Sequence, residues 1–61
     1  MTEREAAKIA NQVYAAARAK QITADEAMKY LNYLEPFMSA AQLAKFSDFS
    51  YAVRHNPSSF A

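Results

Sequence analysis

The sequence predicts an all-α protein of three short helices, and two observations carry that expectation. The first three Ser/Thr residues, Thr2, Thr23 and Ser39, are each followed three positions later by Glu5, Glu26 or Gln42. In such a capping box the hydroxyl accepts from the third helical N–H, and the Glu or Gln side chain reaches back to the cap's own N–H. Each box also opens a stretch whose apolar residues recur at three- and four-residue spacing, the signature of a one-sided helix. The expected spans are about 3–20, 24–35 and 40–55.

In the first helix Ala6, Ile9, Ala10, Val13, Ala16 and Ala17 form one stripe, flanked by Ala7 and Tyr14. Alanine gives high helix propensity and little buried area, so the stripe suits close approach of a neighbour with larger side chains. Glu3 and Glu5 at the start and Arg18 and Lys20 at the end follow the helix dipole.

Ile22 precedes the Thr23 cap and is placed to staple onto Ala27. The second helix carries Ala27, Tyr30, Leu31 and Leu34 inward with Met28 at the margin, and Glu26, Lys29 and Tyr33 on the other side. Pro36 must end or kink it, because the residue before a proline is pushed out of helical geometry. Met38 precedes the Ser39 cap and can staple to Leu43 in the same way. The third helix presents Leu43, Phe46, Phe49 and Val53 on one face. Arg54 and His55 suit its C-terminus, and Asn56-Pro57 is a stop signal.

Residues 1–56 thus form a single helical domain, and residues 57–61 read as a short frayed tail. Two architectures fit. One is a three-helix bundle. The other is a helical hairpin whose second arm is kinked at Pro36 and completes its core in a dimer.

Size favours self-association. A core from 61 residues supplies only about 3–5 kcal/mol of net stability, so chains of this length need a staple. With no cysteine and one histidine, neither a disulfide nor a thiolate or structural zinc site can serve. Oligomerisation remains, and a homodimer is the expectation.

Several activities lack their parts. The chain has no glycine, so the phosphate-cradling loops that require it cannot be built. No cofactor or metal is expected. Seven Lys/Arg against six Asp/Glu leave a net charge of +1, far from the strongly basic balance of a dedicated nucleic-acid binder. No uncharged run approaches the roughly 18 residues of a membrane span. Acids at Glu3 and Glu5 stand where a signal peptide carries bases. A cytoplasmic protein without membrane association is the expectation.

Catalysis fares no better. His55 is the one imidazole and reads as a helix C-terminal residue. Asp25 and Glu26 belong to the cap of the second helix. Ser47, Ser50 and His55 suggest no nucleophile, base and orienting group in a fold too small for a deep pocket. The chain is read as non-enzymatic.

The aromatic surplus points to binding. Four Tyr and four Phe in 61 residues exceed what so small a core can hide, and these residues, with Met, are enriched at protein interfaces. Tyr30, Tyr33, Phe37 and Met38 fall close together. Glu35 beside them opposes the helix dipole, a local inconsistency of the kind that marks binding positions. The expected role is a small protein–protein interaction module: an adaptor, inhibitor or regulatory accessory protein of the kind phages and mobile elements encode.

The alternative is a small nucleic-acid-binding transcriptional regulator. Arg4, Lys8 and Arg18 fall on one outward line of the first helix, with Asn11 and Ala15 between them, and Gln42, Lys45 and Arg54 lie on the third. Leu43-Ala44-Lys45-Phe46 followed by Phe49-Ser50-Tyr51 echoes a degenerate helix-turn-helix, with Asp48 where the turn wants glycine. A subunit of a larger assembly is the third class considered.

Overall fold

A computed structural model describes residues 1–56; the expected tail, with Phe60 in it, lies outside them. The described residues fold into three α-helices with no strand: α1 (Glu3–Arg18), α2 (Ala24–Leu34) and α3 (Ala40–His55). All three expected caps form. The hydroxyls of Thr2, Thr23 and Ser39 accept from the N–H groups of Glu5, Glu26 and Gln42 at 3.1, 3.1 and 3.3 Å. At Thr23 the box is reciprocal, with the Thr23 N–H donating to the Glu26 carboxylate at 3.4 Å. At Ser39 the side chain of Gln42 instead turns inward.

The first helix stops two residues short of the expected end. Lys20 has a φ of 61°. The Gln21 N–H donates to the Ala16 carbonyl at 2.9 Å, and the Lys20 N–H to the Ala17 carbonyl at 3.1 Å. This is a Schellman termination, whose left-handed position is usually taken by glycine. A lysine there carries a Cβ penalty of about 1–2 kcal/mol. Lys20→Gly is therefore expected to stabilise the fold by about 1 kcal/mol and raise Tm by roughly 4–8 °C. Thermal unfolding of the two proteins at equal concentration checks this. An unchanged Tm would mean that packing of the lysine stem offsets the backbone strain.

Beyond α2, Pro36 sits in a single 3₁₀ turn over Glu35–Phe37, followed by extended backbone at Met38 and Ser39. α2 and α3 are therefore separate helices rather than one bent arm. The main packing is between α1 and α2, and α3 lies against both. Asn11 meets Gln42, and further along Tyr14 meets Phe49 with ring centroids 5.3 Å apart. Positions rise together on the two helices, so α1 and α3 run in the same sense and α2 returns between them.

The core contains Ala6, Ala10, Val13 and Ala17 from α1, Ala27, Leu31 and Leu34 from α2, Met38, and Phe46 and Phe49 from α3. Tyr14, Ile22, Met28 and Val53 pack against it. Among the described residues, four of the ten buried apolar residues are alanines, and Leu31 is the one large side chain sealed completely.

Three residues depart from the expected inner stripes. Ile9 and Tyr30 are exposed, because the stripes of α1 and α2 are centred on the neighbouring positions 6-10-13-17 and 27-31-34. In α3 the inward line is Gln42-Phe46-Phe49-Val53. Its 4-3-4 spacing keeps one side of the helix, whereas Leu43 stands about 100° round from Gln42. Leu43, expected in the core as the partner of Met38, is 42% exposed. Among the described residues, no helix is long and apolar enough to cross a membrane.

Candidate protein-binding surface

The structure separates the five residues expected to form one binding surface. Tyr30 and Tyr33 project from the outer side of α2 and are 52% and 73% exposed. Each lies about 140–160° round the helix from Met28, which faces the groove between α2 and α3. Phe37, in the 3₁₀ turn, is 37% exposed and extends the aromatic patch beyond the end of α2. Glu35 does not join them; it lines the α2–α3 groove.

Met38 must be withdrawn from the surface, because it is buried in the core cluster. Its extended backbone, one residue before the Ser39 cap, returns the chain toward the bundle, and a hydrophobic residue at that position packs inward.

The cationic positions of the alternative reading also divide. Arg4, Lys8 and Arg18 are exposed along α1, as are Lys45 and Arg54 on α3. Arg18 and Lys45 line one groove of about 390 Å³ between α1 and α3, with Asp48 beside them. Arg54 lines the other groove, near His55. Gln42 is buried and cannot join these positions: its Nε2 donates to Asn11 Oδ1 in a long 3.5 Å contact, and its Oε1 is buried without a partner. The helix-turn-helix echo has no turn, since α3 runs unbroken through Asp48.

Among the described residues, the Tyr14 hydroxyl is the other buried side-chain polar atom without a hydrogen-bond partner. Burial pushes its phenol above the ordinary value, which keeps it neutral and donor-capable. Among the described residues, no group of three or more His, Cys, Asp and Glu could hold a metal ion.

Two exposed residues on α3 escaped the sequence reading. Leu43 stands outside although a core position is expected for it, and Tyr51, which the sequence places only in the helix-turn-helix echo, is 64% exposed. The Tyr51 ring lies over His55, one turn on, with centroids 4.1 Å apart. The available signal was the four-residue line Leu43-Ser47-Tyr51, offset from the core stripe.

Comparisons with known protein families, with curated proteins and with solved structures find no match to this chain.

Proposed function

We propose that this chain is a small, non-enzymatic protein–protein interaction module, acting in the cytoplasm as an adaptor, inhibitor or regulatory accessory protein. One observation carries the reading: Tyr30, Tyr33 and Phe37 stand exposed within eight residues of chain on the outer side of α2 and its terminal turn. Aromatic side chains bury about 150–250 Å² each when covered. At their observed exposures the three leave on the order of 300 Å² uncovered, the scale of a functional apolar patch on a small protein. Tyrosine also suits a contact that is dry at one end and wet at the other.

The double variant Tyr33→Ala/Phe37→Ala is expected to weaken partner capture by about tenfold or more, since aromatic anchors dominate such contacts. Wild type and variant serve as tagged baits in host lysate, with and without nuclease, at low and moderate salt. A discrete protein held by wild type through nuclease and salt, and lost by a variant of unchanged helicity, supports the reading. Unfolding of the variant would make these residues core and sink it. Capture abolished by nuclease or salt would transfer the role to Arg4, Lys8, Arg18 and Lys45, because phosphate contacts weaken steeply with salt.

A further inference from the structure

We propose that the groove between α2 and α3 is a self-complementary interface, closed in solution by the same groove of a second copy with the two α3 helices antiparallel. This goes beyond the reading above and uses another face, since Tyr30 and Tyr33 lie on the far side of α2. The groove is shallow and open to solvent, and its lining includes Glu35, Leu43, Ser47, Ser50, Tyr51 and Arg54.

The pattern along α3 is symmetric about Ser47. Leu43 lies four residues before it and Tyr51 four residues after, about 6 Å either way along the axis. A two-fold axis through Ser47 brings Leu43 of each copy to the level of Tyr51 of the other, on either side of the seam. The residue on the axis, Ser47, and its neighbour Ser50 are small and line the groove, so the helices can approach to about 8 Å. The two large apolar residues of the groove's outer edge, 42% and 64% exposed in a single copy, are then both covered.

Charge obeys the same symmetry. Arg54 lies seven residues after Ser47. Seven residues before it is Ala40, the first residue of α3, beside the turn that carries Glu35. The axis that pairs Leu43 with Tyr51 therefore brings Glu35 of each copy to the level of Arg54 of the other. This accounts for an acid at the end of α2, where the dipole favours a base. A foreign helix could enter the groove, but matching of level and charge about one residue is the property of an isologous contact. It would also supply the staple that a cysteine-free chain of this length lacks.

Sedimentation equilibrium of the full chain, from about 1 to about 500 µM, reads the outcome. The expected mass is twice the 6.8 kDa of the chain. Glu35→Arg alone and Arg54→Glu alone each place like charges together twice per dimer, and are expected to raise the dissociation constant about tenfold. The combined Glu35→Arg/Arg54→Glu variant reverses both charges and is expected to recover most of that loss. Ser47→Arg, at the exposed crossing point, is expected to yield monomers of unchanged helicity. A monomer throughout the range overturns the proposal and leaves the groove to a foreign helix. A dimer indifferent to Ser47→Arg, or one lost in Tyr33→Ala/Phe37→Ala, overturns it in favour of another face. Neither result bears on whether the Tyr30–Phe37 patch captures a different protein.

Discussion

Leu31→Ala is expected to leave the chain largely unfolded at room temperature. Among the described residues, Leu31 is the one large side chain sealed completely, and it lies in α2 between Ala27 and Leu34, both buried with it. Truncating a buried leucine to alanine costs about 2–5 kcal/mol, the transfer term plus the cavity left behind. That matches the whole net stability of a core this size, about 3–5 kcal/mol. Neighbours offer little relief, because four of the ten core residues are alanines with no side-chain freedom to fill the gap. Far-UV circular dichroism and urea unfolding, at one protein concentration, read the loss. Ile9→Ala is the control: it also removes aliphatic groups, but from a side chain already exposed, and is expected to cost no more than about 1 kcal/mol. Retention of a cooperative transition by Leu31→Ala, with a cost no larger than that of the control, would place the centre of the core elsewhere.

Helix number, order and starts were legible because they depend on local chemistry. A hydroxyl that caps the third N–H acts within its own turn, and Thr2, Thr23 and Ser39 all do so. The break at Pro36 is equally local, although a 3₁₀ turn and two extended residues, rather than a kink, resulted. The end of α1 was less legible. Without glycine in the chain, nothing flagged Lys20 as the left-handed residue.

The choice of inward face is not local, and there hydropathy alone misleads. Hydropathy selects Leu43 over Gln42 for the core of α3, yet Phe46, Phe49 and Val53 define a line on which position 42 falls and position 43 does not. Three large side chains outweigh one. The same rotation leaves Leu43 beside Tyr51 on the outer edge of α3 and gives Glu35 a groove rather than an aromatic patch to face. The Tyr30–Tyr33 surface is legible in part: Tyr33 falls outside the inner stripe, whereas Tyr30 sits on that stripe by spacing and on the binding surface by its aromatic neighbours. Met38 shows the limit of reading by neighbourhood in sequence. It adjoins Phe37 in the chain, but one is exposed and the other sealed in the core.

That rotation leads to the second large effect. Gln42→Met is expected to stabilise the fold by about 1–2 kcal/mol. The buried Gln42 amide has an unpartnered Oε1, and its Nε2 reaches Asn11 only at 3.5 Å. An unsatisfied buried acceptor costs about 1–3 kcal/mol, and a contact at that distance recovers little. Methionine keeps the unbranched shape and similar volume, so the site need not rearrange. The third N–H of α3 still donates to the Ser39 hydroxyl, because that bond uses the backbone of residue 42. Asn11, exposed on α1, can return its carbonyl to water. Tm is expected to rise by roughly 4–8 °C per kcal/mol in a domain of this length, and thermal unfolding against wild type decides it. Gln42→Ala separates the two contributions, since it relieves the orphaned oxygen but empties the space that methionine fills. It is expected to fall below Gln42→Met by the area it fails to bury. If both variants are less stable than wild type, the amide is held by bonds stronger than the one to Asn11, and Gln42 is a structural polar anchor between α1 and α3.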